Sequence, residues 1–337
     1  MAADPWLADA PAEDGPDDPG DDPGIPSRDC TVPPGLHGER ADKLLATQLP
    51  EFSRSYLQQL MADGAVCLDG KVLHKPAARV SVGQVLRVQI RPTPQATAFV
   101  PEAIPLVIVF EDEHLLVIHK PAGLVVHPAP GHWSGTLLNG LLAHHAAAAQ
   151  LPRAGIVHRL DKDTSGLMLV AKSRLAMEAL VRAIAARDVK REYLALAQGA
   201  WRAAPELRVD QPIGRDPQHR LRMAVLPPDA SGAKTAQTTV RCLASQGAYS
   251  LLGCQLHTGR THQIRVHMAW LGHPLVADVL YGGRPALGLQ RQALHAARLR
   301  LAHPVHGSPL AFEAAPPVDF QQALEQAGLS YNASDWP

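Results

Sequence analysis

Within the nineteen residues GIVHRLDKDTSGLMLVAKS, Gly155 to Ser173, the chain turns from apolar to polar and back. The runs Gly155–Val157 and Gly166–Ala171 read as strands, because short continuous apolar runs suit strands covered on both faces. Between them stand His158, Arg159, Leu160, Asp161, Lys162, Asp163, Thr164 and Ser165, more polar chemistry than a turn requires. A polar loop on a rigid sheet is a common way to present a reactive group. On residue types alone a salt-bridged turn competes with it, Arg159 on Asp161 and Lys162 on Asp163.

The same patterning organises the rest of the chain. Leu44, Leu45 and Leu49 recur at helical spacing, and Ser53 is placed to cap a second helix carrying Tyr56, Leu57, Leu60 and Met61 on one face, with Gly64 ending it. AVCLDGKVL predicts a hairpin about Asp69-Gly70, and QVLRVQI a closing strand. Residues 38–91 thus form a small α/β module. The proline-rich 92–105 reads as a linker. From Leu106, LVIVFEDEHLLVIHKPAGLVVHP gives two strands, a turn at Lys120–Gly123 and a further short apolar run, before a helix near Leu137–His145. Ser173 is a candidate N-cap, with Met177, Leu180, Val181 and Ile184 as one stripe behind it. REYLALAQG, TTVRCL and YSLLGCQLHTG are strands, and THQIRVHMAWLG a helix capped by Thr261 and ended by Gly272. Strands in runs with interspersed helices predict an α+β fold on a mixed, mostly antiparallel sheet spanning 106–325, with 326–337 as a C-terminal tail.

Charge alters this picture at one end. The formal net charge of zero hides a net −8 in residues 1–35 and +8 in the remainder. The segment EDGPDDPGDDPG has little to bury, so 1–35 reads as a disordered acidic tail. The basic body suits a polyanion. Four scattered cysteines, Cys30, Cys67, Cys242 and Cys254, without a CxxC pair fit reduced thiols in a cytoplasmic protein better than a zinc site or disulfide scaffold. No run of eighteen apolar residues suggests a membrane span, and the acidic N-terminus lacks a signal-peptide core.

Two resemblances sharpen the reading. The order helix, helix, hairpin in 38–91, punctuated by Arg40, Lys43, Arg54, Lys71, Lys75 and Arg79, resembles the S4 RNA-binding domain. His158–Leu167 resembles the signature of the RluA family of pseudouridine synthases. HKPAGLVVHP (119–128), KREYLAL (190–196) and LHTGRTHQIRVHMAWLGHPLVAD (256–278) agree with its other motifs in order and spacing. The resemblance implies that Asp161 is the essential carboxylate, that Tyr193 packs on the target base and that Arg265 pairs with the carboxylate. It also implies that uridine is isomerised in RNA, with 23S rRNA or the assembling large subunit as partner and helix 69 as the site. Arg159, Lys162 and Arg260 are candidate phosphate ligands beside the basic residues of the first module. The isomerisation involves no redox change, so no cofactor or metal is expected, and the chain shows no phosphate loop or metal spacing. A monomer is expected. His127, His158, His262 and His267 are read as structural. Three rivals remain: a non-catalytic RNA-binding or ribosome-assembly protein, the same enzyme acting on another 23S site or a tRNA, and a metal-dependent hydrolase built on the histidines.

Overall fold

The computed structural model describes residues 26–91, 98–129, 131–219, 221–332 and 336. The chain divides into two units, residues 1–93 and 94–337. The first holds β1 (Ser27–Thr31), α1 (Ala41–Gln48), α2 (Arg54–Ala62), β2 (Val66–Leu68), β3 (Lys71–Val72) and β4 (Val85–Gln89). The strands form an antiparallel sheet in the order β1-β4-β2-β3. Leu44, Leu45, Leu57, Leu60 and Met61 of the helices pack with Val66, Leu86 and Val88 of the sheet. Ser53 accepts the Tyr56 N–H at 3.2 Å, as an N-cap does. Asp69 and Gly70 both have positive φ, the geometry a two-residue hairpin turn prefers.

The expected tail 1–35 is corrected at its C-terminal end. Ser27–Thr31 pairs with β4, placing Cys30 opposite Leu86 and burying it with Val32. The residues are polar and flanked by prolines, so only a tertiary partner reveals the strand. Residues 1–25 lie outside the described residues.

The second unit is built on nine strands: β5 (Val107–Glu111), β6 (Leu115–Lys120), β7 (Ser165–Ala171), β8 (Lys190–Gln198) and β9 (Glu206–Asp210), then, beyond a separate hairpin of β10 (Ile213–Arg215) and β11 (Met223–Val225), β12 (Gln237–Gln246), β13 (Tyr249–Leu256), β14 (Leu294–Ala302) and β15 (Pro309–Glu313). Their order is β5-β6-β7-β14-β8-β13-β12-β9, with β15 on β14. The β7–β14 pairing is parallel and the others are antiparallel. Helices are α3 (Leu137–His144), α4 (Arg174–Ala186), α5 (Gln263–Trp270) and α6 (Val318–Gln326). Alternation sends Leu116, Ile118, Met168, Val170, Tyr193 and Ala195 into one core with α3 and α5. Leu115, Val117, Leu167 and Leu169 face α4, and Leu194 and Leu196 face α6.

Several sequence expectations change here. Gly155–Val157 is not a strand: Arg153, Ala154 and Gly155 all have positive φ, and the turn leaves only an isolated bridge from Ile156 to Val170. The linker expected over 92–105 is packed where described, because Asn139 of α3 donates to the Ala98 and Val100 carbonyls at 3.1 and 2.9 Å; residues 92–97 lie outside the described residues. The tail expected over 326–337 contributes Leu329 and Trp336 to the α6 core, the Trp336 indole lying against Gly253 of β13. Val181 is 48 % exposed, so the α4 stripe runs through Ala176, Met177, Leu180 and Ile184 instead. Helix α5 begins after His262, whose φ of 56° is left-handed, and Thr261 does not cap it.

Candidate active site

The polar loop 158–164 enters β7 beside the start of β14. At their junction Gly166 has φ 117°, and a Cβ there would stand 2.2 Å from the Ala296 carbonyl oxygen, so glycine permits the close parallel pairing. The polar residues around the loop hold it in place. Lys120, 1 % exposed, donates from Nζ to the carbonyls of Pro121, Leu124 and Lys162 at 2.7, 2.9 and 2.9 Å. Burial draws its amine down to about 8. Gly123 N–H donates to the Lys162 carbonyl, and Arg291 to that of Asp163 at 3.0 Å while paired with Asp319. Gln292 reaches Thr164 Oγ1, and Ser165 Oγ lies 2.9 Å from His295 Nδ1. His158 accepts the Leu169 N–H through Nε2 at 2.9 Å. His158, Thr164 and Ser165 of the polar stretch thus help to fix a loop that has no sheet ladder of its own, together with Lys120 and Arg291 from outside it.

The loop presents Asp161. Arg265 of α5 donates from Nη1 to Asp161 Oδ2 at 3.0 Å and forks onto Asp278 through Nε and Nη2 at 2.7 and 2.8 Å. One guanidinium thus bridges two carboxylates, and its geometry suits a bidentate partner on one side and a single bond on the other. Burial pulls Arg265 down, but the hydrogen bonds and charges of Asp278 and Asp161 outweigh it and hold the guanidinium above its ordinary value. Its face lies 5.0 Å from the Tyr281 ring centre. Tyr281 also joins the hairpin to the site: its hydroxyl accepts the Met223 N–H at 3.0 Å and lies 2.8 Å from His262 Nδ1. His262 Nε2 stands 3.9 Å from Asp161 Oδ1. Burial lowers the His262 pKa while the Asp161 charge opposes it.

Asp161 and Tyr193 share an open cavity of about 680 Å³ with His127, His158, Arg159, Arg191, Thr258 and Arg260 among its lining. A small recess of about 50 Å³ continues from them to Arg265, His262 and Leu294. Tyr193 is buried in β8, and burial pushes its hydroxyl up to about 12. Burial likewise holds His158 and His127 down to about 3 and about 4.

The structure thus brings Asp161, Tyr193 and Arg265 together. The salt-bridged turn is not formed: among the described residues Asp161 pairs with Arg265 rather than Arg159. Arg159, Lys162 and Arg260 are exposed, Arg159 and Arg260 on the cavity rim. In the first unit Arg40 and Arg54 both donate to the buried Asp42, and Lys43 pairs with Glu39, whereas Lys71 and Lys75 stand exposed. His267 is tied to Thr238 Oγ1 and the Gln211 carbonyl. Among the described residues no group of three or more His, Cys, Asp or Glu side chains could hold a metal ion. No described helix is long and apolar enough to cross a membrane. Sequence reasoning missed the roles of Asp278 and Tyr281 in holding Arg265 and His262. Asp278 closes the motif that holds Arg265, but nothing in a thirteen-residue separation points one at the other.

Comparison with known proteins gives the family. Residues 114–270 match the RNA pseudouridylate synthase family, and residues 39–86 the S4 domain. Ribosomal large subunit pseudouridine synthase D of Neisseria meningitidis serogroup B is 46 % identical over 321 residues, covering 90 % of this chain and 84 % of its own. The protein of that name from Yersinia pestis is 44 % identical, over 88 % of this chain and 93 % of its own. The solved structure of human RNA pseudouridylate synthase domain containing 4 shares the fold, with a TM-score of 0.53 at 23 % identity over 67 % of this chain and 94 % of its own. The mixed sheet is that of a pseudouridylate synthase, and the family match makes the protein an RNA-modifying isomerase. The chain belongs to the RNA pseudouridylate synthase family, with an S4 domain ahead of the synthase domain.

Proposed function

We propose that this protein converts uridine to pseudouridine in large-subunit ribosomal RNA, in the helix 69 stem-loop of 23S rRNA, with Asp161 as the reacting carboxylate. The observation that carries the reading is the division of labour at Asp161. Its Oδ2 accepts from Arg265 while its Oδ1 does not, and the residue lines a cavity that Tyr193 also lines.

The reaction breaks the N1–C1′ bond, turns the freed uracil and joins C5 to C1′; the C5 proton leaves and N1 takes one up. An ionised carboxylate beside the base serves each route to this end: addition to the ring, attack at C1′, or removal of a sugar proton. Arg265 orients that carboxylate and is itself held rigid by Asp278, so neither group must reorganise during reaction. A base inside a helix is out of reach, so the target nucleotide flips into the cavity. Tyr193, neutral across the physiological range, offers a π-face for stacking worth about 1–3 kcal/mol. Arg159 and Arg260 on the rim take backbone phosphates, and Lys162 adds to the same field. In the S4 domain, Lys71, Lys75 and the donors that Arg40, Lys43 and Arg54 do not spend on Asp42 and Glu39 face RNA. The protein acts as a cytoplasmic monomer.

The test uses 23S rRNA transcribed with uridine tritiated at C5, incubated without added metal or cofactor. Bond formation at C5 releases tritium to water. Release by the wild type and none by Asp161→Ala is expected, with the products mapping to helix 69. Binding without release from rRNA, assembling subunits or tRNA would overturn the reading in favour of a non-catalytic assembly protein.

A further inference from the structure

Arg191 is a cation that the fold buries and that no described side chain pairs. Its residue exposure is 5 %, and its Nε is buried without a hydrogen-bond partner. Among the described residues no carboxylate lies within ion-pair distance of it. Burial pulls its pKa below the ordinary arginine value, with only the Tyr193 phenol acting in the other direction, and Tyr193 is neutral. An uncompensated buried charge is destabilising, so an arginine kept this way points to an anion supplied from outside.

Its position shows which anion. Arg191 and Tyr193 are two residues apart on β8, so they share a face at a spacing of about 7 Å. That step is comparable with one nucleotide of extended RNA. Arg191 lines the same cavity as Asp161 and Tyr193, and its Nη1 end lies against Gly259, where an added Cβ would stand only 3.0 Å from it. The absence of a side chain at Gly259 keeps that end open. Next to it, His158 uses Nε2 to accept the Leu169 N–H, so its proton sits on Nδ1, a second buried donor without a partner. The other arginines of the cavity, Arg153, Arg159, Arg187 and Arg260, are exposed and solvated, so they carry no such deficit.

We propose that Arg191 binds the phosphodiester adjoining the flipped uridine, fixing the nucleotide's register so that its C1′ meets Asp161 while its base lies on Tyr193. Arg191 is a positioning residue, distinct from the rim arginines because it is desolvated before RNA arrives. The inference rests on RNA being the substrate. It explains why the cavity extends from Asp161 along β8 toward His257 and Arg187 rather than closing around a lone base.

The test is a chemical double-mutant cycle. Synthetic helix 69 stem-loops carry a single neutral methylphosphonate at each phosphate around the target uridine in turn. Binding is measured for wild type, Arg191→Met and Arg191→Lys, with tritium release recorded in parallel. A charge-assisted hydrogen bond lost in a dry site predicts about ten- to hundredfold weaker binding by Arg191→Met. One methylphosphonate next to the target weakens the wild type by a similar factor and leaves Arg191→Met unaffected, while both respond alike to the others. The salt slope of log Kd falls by about 0.7 in Arg191→Met, one single-strand phosphate's worth. Arg191→Lys keeps the charge and the sensitivity to that methylphosphonate, and the neutral Arg191→Gln serves in place of Arg191→Met should the latter fail to fold. Equal sensitivity of wild type and Arg191→Met at every phosphate overturns the proposal, as does an insensitive Arg191→Lys. If the wild type binds but releases no tritium, the isomerase reading falls while the cycle still decides the phosphate site; no RNA binding at all sinks both.

Discussion

Asp161 and Asp278 share one guanidinium, yet their removal should have opposite consequences. Asp278 is 1 % exposed and accepts both fork bonds of Arg265, which is itself 8 % exposed. In Asp278→Asn one acceptor becomes an amide that points N–H groups at N–H groups. Breaking a buried pair by removing one partner is worth about 3–5 kcal/mol. Because Asp161 remains to offset part of the Arg265 charge, the lower end applies, about 3 kcal/mol. For a unit of this size that corresponds to a fall in Tm of about 6–12 °C. The freed guanidinium no longer holds Nη1 at Asp161 Oδ2, and kcat falls about a hundredfold with little change in RNA affinity. Asp161→Asn keeps an oxygen that accepts from Nη1, leaves the Arg265–Asp278 fork intact, and lies at a cavity. Its stability changes by less than about 1 kcal/mol, since a partly exposed pair contributes little. Its tritium release falls by about 10²–10⁴, the scale of removing a group that acts in the reaction itself.

Thermal unfolding, RNA binding and tritium release on the two purified variants separate the two roles. A wild-type Tm for Asp278→Asn would show that Asp278 does not anchor Arg265. More than one-hundredth of wild-type release by Asp161→Asn would remove the carboxylate from the reaction.

Four further outcomes follow from the same structure. Tyr193→Ala loses the stacking face and should weaken productive binding by about ten- to hundredfold in kcat/KM while non-specific RNA affinity is kept; unchanged kcat/KM would put the base elsewhere. Gly166→Ala drives a methyl against the Ala296 carbonyl, so β7 and β14 must part; urea unfolding should show a loss of about 3 kcal/mol, and a midpoint within error of wild type would contradict the parallel pairing. Lys120→Met leaves three carbonyls around the site of the ammonium without their donor, lowering stability by about 2 kcal/mol and slowing tritium release through the displaced loop; normal activity would mean that Lys120 does not hold residue 162. His158, His127 and His295, held by burial at about 3, 4 and 4, are neutral when folded and titrate near 6.5 when unfolded. Around pH 5 the unfolded chain therefore binds nearly three more protons, stability present above pH 6.5 is lost as pH falls, and unfolding free energies from urea titrations at pH 7, 6 and 5 should decline, by about 3–4 kcal/mol between pH 6 and 5; a flat profile would mean the rings are wet.

The elements legible in the sequence are those whose determinants are local. Ser53 and Ser173 cap helices with their own hydroxyls, Asp69-Gly70 turns a hairpin by its own dihedral freedom, and α3 fills a continuous apolar stretch. The elements that escaped it depend on partners distant in the chain. Strand β1 exists because β4 lies beside it, although SRDCT has no apolar alternation. Strand β14, LHAARLRLA, looks helical by propensity, since Ala, Leu and Arg favour helices. It is a strand because β7, β8 and β15 pair with it and leave its backbone no other partners. The same holds at α5. A left-handed His262 has no local cause; its ring is held by the Tyr281 hydroxyl, nineteen residues further on.

The site divides along the same line. Asp161, Tyr193 and Arg265 stand in motifs that can be matched one at a time, but what makes them a site is the frame between the motifs. Arg265 meets Asp161 across 104 residues, Arg291 holds the loop across 128, and Lys120 holds it across 42. Each of these cations sits on backbone carbonyls or on shared carboxylates, so the loop's position is encoded in charges that no local pattern explains. Among the described residues Arg191 is the exception among the buried cations, having neither. Lys120, Arg265 and Arg291 are each held by carbonyls or carboxylates while, among the described residues, Arg191 is held by neither, a contrast that the proposed RNA phosphate at Arg191 would resolve.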